Sequence, residues 1–140
     1  MQPTQDAAGA LVSWSRSRDA DAAQAVFRFA GSLPVFVGHF PGRPLVPGVY
    51  LLASVVHLAG LAQAGGESGA GWQTKAVGPS PGASVQVLAV ERAKWSAPAY
   101  PDQDLTVAIT WIRGEGRIVV DGTVSVAGAP CTVCRVVLRI

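Results

Sequence analysis

Two groups of residues in this 140-residue chain could do chemistry. The first is a histidine set in a proline- and glycine-rich run, Gly38-His39-Phe40-Pro41-Gly42-Arg43-Pro44-Leu45-Val46-Pro47-Gly48. Imidazole titrates near neutral pH, so His39 is a candidate general base. The second is Tyr50, Ser54 and His57, spaced i, i+4 and i+7, which a helix would gather on one stripe. Gly48 opens that helix directly after Pro47, and the first backbone N–H groups of a helix have no intrahelical partners. With the positive end of the helix dipole behind them, they suit a carbonyl oxygen that gains negative charge. Glycine at that point also removes a side chain that would block close approach. Each feature alone has a plainer reading: a loop histidine bonded to backbone, an ordinary helix start, a stripe that satisfies its own polar groups.

The elements around these residues must hold them in place. Between Gly31 and Pro47 lie four prolines and three glycines, a density that excludes both helix and central strand and predicts a rigid, ordered loop. From Gly48 to about Ala64 the residues Leu51, Leu52, Val55, Val56, Leu58, Ala59 and Leu61 cover most of a helix circumference. Such a helix belongs inside a domain. Leu11–Arg16 and Ala25–Ala30 read as short strands. So do Val85–Trp95, Leu105–Ile112, Arg117–Val126 and Thr132–Ile140, which are rich in Val, Ile, Thr and Trp and separated by turn residues. Residues 65–82 read as a loop and residues 1–10 as a flexible tail. The expected fold is α+β: one domain over residues 11–140, with an antiparallel sheet curled around one long central helix.

Composition narrows the function. The chain is 49% hydrophobic and 14% charged, which excludes a disordered chain, and its net charge of +2 does not favour nucleic acid as partner. Cys131 and Cys134 fall in a strand segment, where alternation would send them to opposite faces, so neither a disulfide nor a zinc site is expected. No metal and no cofactor is called for. The polar, small N-terminus carries no targeting pattern, and the apolar run Val49–Ala62 is too short to span a membrane. A cytoplasmic protein is expected.

The run from Gly38 to Leu52 closely resembles the signature of the FabZ/FabA 3-hydroxyacyl-carrier-protein dehydratases, GHFPG-x-P-x-x-PGV ahead of a central helix. A second block, Val90-Glu91-Arg92-Ala93-Lys94-Trp95-Ser96-Ala97-Pro98 followed by Pro101-Asp102-Gln103-Asp104-Leu105, is similar to the family's strand and PGDQL-type turn. In size and motif the chain is also similar to the small dehydratases of aryl-polyene clusters. The resemblance implies a hotdog fold, a homodimer whose sheets join edge to edge, and an acyl carrier protein as partner. It implies syn elimination of water from a 3-hydroxyacyl thioester, with His39 as base and the Gly48 N–H on the thioester oxygen. Phe40, Pro47, Val49, Ser54 and Trp95 would line the substrate path. Arg43, Arg92 and Lys94 would form a basic mouth for the acidic carrier.

One departure bears on the mechanism. Fourteen residues after its motif histidine the family has a Glu or Asp; here that position is Ala53. Alanine cannot move a proton. His57 lies one helical turn further on, nearly on the same face, and is the candidate to take over part of that role through Ser54 or a water. The alternatives are a weak or inactive subunit that holds the acyl carrier or pairs with an active dehydratase, and, last, a thioesterase. Glu67, in a glycine-rich loop, and Glu91, beside Arg92 on a strand, are not expected to replace the carboxylate.

Overall fold

A computed structural model describes residues 2–38, 44–64, 72–75 and 85–139. The chain runs through α1 (Pro3–Ala10), β1 (Leu11–Ser17), β2 (Ala22–Phe27), α2 (Val35–Gly38), α3 (Gly48–Ala64), β3 (Trp72–Lys75), β4 (Gln86–Trp95), β5 (Leu105–Gly114), β6 (Arg117–Val126) and β7 (Ala129–Arg139). The strands form one sheet in the order β3-β1-β2-β5-β6-β7-β4, with every neighbouring pair antiparallel. Alternation selects the inner face. Leu105, Val107, Ile109 and Trp111 of β5 are buried, as are Ile118, Val120 and Val124 of β6, while the residues between them face outward or lie half-buried. The sheet curls around α3, whose Tyr50, Leu51, Val55, Leu58, Ala59 and Ala62 complete the core.

One close approach fixes how α3 lies on the sheet. A Cβ built on Gly122 would stand 2.8 Å from Val55 Cγ1, so the helix occupies the space that a β6 side chain would fill. Both ends of the helix are anchored. At its start, Val46 N–H donates to the Ala99 carbonyl at 2.8 Å, which ties the approach to α3 to the segment after β4. At its end, Arg16 Nε donates to the Ala62 carbonyl at 3.0 Å, and the guanidinium lies 5.1 Å from the centre of the Trp111 ring.

Four local expectations are corrected. Residues 3–10 are a helix rather than a tail: Pro3 stands in the first turn, and Ala7 and Ala10 are buried. The second strand is Ala22–Phe27, because the turn chemistry at residues 18–21 ends early enough for pairing to begin at Ala22. Residues 35–38 form a short helix, since the stretch between Pro34 and Pro41 contains no proline to break it. Residues 72–75, expected within a loop, form β3 and pair with β1. Cys131 and Cys134 are both buried and free. The register of β6 and β7 shifts at Val124 and Ser125, so the simple alternation that would send the two thiols to opposite faces does not run unbroken there.

Candidate active site

The start of α3 is built by its neighbours. Pro47 cannot continue the helix backwards, and its carbonyl accepts the Tyr50 N–H at 2.9 Å. Trp95, the last residue of β4, lays its indole on Gly48: a Cβ there would stand 2.6 Å from Trp95 Nε1 and 2.7 Å from Cε2. Glycine at 48 is therefore what lets the indole close over the helix tip. Leu45, Val46, Pro47, Gly48, Val49 and Trp95 share the lining of a cavity of about 610 Å³. The sequence-derived trio Pro47, Val49 and Trp95 thus lies together around Gly48.

A second cavity, of about 540 Å³, opens on the adjoining face of α3. Ala53 and His57 line it beside Leu52 and Val56. Val87 and Val90 of β4 and Val136 of β7 form the opposite side. Val49 belongs to both cavities, so they meet at the first turn of α3. No Asp or Glu lines the second cavity among the described residues, and Ala53 stands where the resemblance expects a carboxylate. His57 is half-buried, with its ring edge-on to Phe27 at 6.3 Å between centroids. Burial pushes its pKa below the ordinary histidine value of 6.5, so the ring is neutral at neutral pH.

The expected stripe divides. Ser54 is buried and its hydroxyl donates to the Tyr50 carbonyl at 2.9 Å, back along its own helix. Tyr50 is fully buried against Phe29 and donates its phenol hydrogen to the Asp6 carboxylate of α1. Burial and that carboxylate together raise the phenol pKa. Asp6, Pro3 and Thr4 were not foreseen from the sequence, although Pro3-Thr4-Gln5-Asp6 carries the proline and the acidic first turn of a helix start.

His39, Phe40 and Arg43 lie outside the described residues, as does Glu67. Arg92 and Lys94 flank Ala93, which packs on the core, so both cations stand on the outer face of β4. Arg92 Nη2 comes within 4.0 Å of Asp121, which also accepts a hydrogen bond from Arg135 Nε at 2.8 Å. Glu91 adds its charge to that outer-face group, away from the Ala53 cavity.

The fold defines a hotdog domain. Two solved structures share it: the dehydratase heterocomplex ApeI:P from Xenorhabdus doucetiae, at TM-score 0.62 and 20% identity, covers 90% of this chain and 94% of its own. A putative thioesterase, a phenylacetic acid degradation-related protein from Ralstonia eutropha JMP134, gives TM-score 0.63 at 18% identity over 95% of this chain and 88% of its own. Among characterised relatives, the 3-hydroxyacyl-[acyl-carrier-protein] dehydratase FabZ of Sulfurimonas denitrificans is 39% identical over 92 residues, 63% of this chain and 56% of the relative. The chain spans about half the length of several of the curated relatives it matches. A family model described as ApeI dehydratase matches residues 15–128, and the chain belongs to this ApeI-like dehydratase family. No helix among the described residues is long and apolar enough to cross a membrane.

Proposed function

We propose that this protein is a dehydratase-type lyase that removes water from a 3-hydroxyacyl chain carried as a thioester on an acyl carrier protein. The observation that carries the reading is the junction at the first turn of α3, where the Gly48 helix tip meets the apolar cavity lined by Ala53 and His57. Family membership supplies the reaction class. In this reading the Gly48 N–H holds the thioester oxygen as negative charge moves onto it. His39 takes the proton from the α-carbon, the electron pair forms the new double bond, and the β C–O bond breaks.

The leaving oxygen needs a proton. A carboxylic acid at position 53 would provide one; alanine does not. His57 is held neutral by its surroundings, and a neutral imidazole donates a hydrogen bond far more readily than it surrenders its last ring proton. Its role is to orient the β-hydroxyl, directly or through a water. Ser54 takes no part in such a relay while its hydroxyl is bonded to Tyr50. In a syn elimination the α-proton and the hydroxyl share one face, so the His39 imidazolium can return the proton it took.

The edge of the sheet supports a dimer. β4 ends the sheet on the side opposite β3, and its Val87, Leu88, Val90 and Trp95 are all exposed within one chain. A ten-residue edge strand with these apolar side chains exposed is a template for a second chain. A second reading draws on Ala53: a related subunit placed along this edge would supply the missing carboxylate. The heteromeric ApeI:P structure, of the same fold, lends it support. Loss of water from 3-hydroxyacyl carrier proteins, followed by mass, tests both readings on the chain alone. Turnover by the wild-type homomer supports the first. No turnover by the wild type, with strong turnover by Ala53→Glu, supports the second. No water loss from either protein over a full range of chain lengths would remove the dehydratase assignment.

A further inference from the structure

The first turn of α1 forms a wall of the Ala53–His57 cavity through Pro3 and Thr4. Nothing in the reaction just described uses this helix, and it precedes residue 15, where the family match begins. We propose that α1 is the gauge that sets which acyl chains the cavity accepts, with Pro3 and Thr4 as the stop and the Asp6–Tyr50 pair as the latch that holds it. The inference rests on the acyl-thioester reading above and extends it to substrate choice.

The shape of the cavity points to a linear chain. Its α3 lining runs from Val49 to Leu61, a span of roughly 18 Å at 1.5 Å per residue. The lining is aliphatic apart from His57 and Thr4. His57 belongs beside the reacting carbons, which leaves the rest of the surface to an unbranched hydrocarbon. Pro3 is half-buried and Thr4 exposed, so α1 meets the cavity at its rim. An obstruction there decides whether a longer chain continues or stops.

The far end of α1 is fixed by buried Ala7 and Ala10 and by the Arg28 N–H on the Ala10 carbonyl at 2.8 Å, so the latch acts on its first turn. The helix has eight residues, lacks a side-chain cap at its N-terminus and includes Gly9. An isolated helix of that length does not hold its own shape in water. Its first turn is placed against α3 by the Tyr50 hydroxyl on the Asp6 carboxylate and by the Gln2 N–H on the same phenol oxygen at 3.4 Å. Tyr50 is itself fully buried two residues past Gly48, so the latch is mounted on the same helix turn that presents the thioester site. The gauge is thereby referenced to the reacting end of the substrate.

The experiment compares the full chain with Thr4→Trp, Asp6→Ala, Asp6→Asn and Tyr50→Phe. The probes are short-, medium- and long-chain 3-hydroxyacyl-pantetheine thioesters, with kcat and KM measured separately. Thr4→Trp is expected to lower kcat/KM for the long chain about tenfold, mainly through KM, and to leave the short chain within about twofold. Asp6→Ala and Tyr50→Phe release the first turn of the helix and flatten the length preference. Asp6→Asn keeps an acceptor for the phenol and retains the preference. An unchanged length profile in Thr4→Trp and Asp6→Ala overturns the proposal, and so does an equal loss at every length. If the wild type turns over none of the thioesters, the first of the two readings above fails by itself. The gauge is then judged by calorimetric affinities of saturated acyl-pantetheines, where the same length-dependent shifts support it and their absence rejects it.

Discussion

At the scale of single residues, the site is defined by one substitution and its consequence. Ala53 lines an apolar cavity where the resemblance expects a proton carrier, and His57 is the only titratable group in the described lining. Its environment sets what it can do. Desolvation disfavours the imidazolium, so the folded protein binds a proton there less readily than the unfolded chain does. Stability is therefore fully present above the unfolded value of about 6.5 and is lost as pH falls through that value towards the lowered folded one. Thermal melts between about pH 7 and pH 5 should show the midpoint falling in the wild type and a shallower fall in His57→Gln. Equal slopes would mean that His57 is not desolvated. The sequence shows His57 and its distance from Ala53 plainly, because helical spacing is enough to put both on one face. It does not show that Ser54 turns back to its own helix, since a serine hydroxyl chooses between local and distant partners only once packing is settled.

At the scale of elements, α3 was legible from residue 48 to residue 64 because its apolar periodicity is dense and Pro47 marks its start. The strands of the second half were legible for the same kind of reason. α1 was missed because its small polar residues carry a weak period; its stability comes from α3, which local reading does not see. β3 was missed because four residues are too few for alternation to register, and its pairing with β1 is long-range. How closely α3 seats on the sheet depends on Gly122. Gly122→Ala puts a methyl group within contact of Val55 and is expected to destabilise the fold by about 1–3 kcal/mol, the usual effect of overpacking. Val55→Ala in the same chain should recover part of that loss. Denaturant melts of the single and double variants check this: strictly additive losses would mean that the two residues do not share the contact.

For the whole molecule, the sheet leaves its β4 edge uncovered in one chain, next to the Ala53 cavity that Val87 and Val90 of that strand help to line. Site and edge are therefore one region. A second chain along β4 would cover the open side of that cavity. The family signature was readable at this scale because a dozen positions match in order; which chain supplies each group is not, because a sequence carries no record of its neighbour. The most direct measurement of the central claim is the rate of water loss from a 3-hydroxyacyl carrier protein by the wild type and by His39→Ala, with light scattering on both. The account predicts the mass of two chains for each protein and a rate about 10²- to 10⁴-fold lower for the variant. Equal rates would contradict the role of His39 and the function built on it, and a single-chain mass at the assay concentration would remove the shared edge.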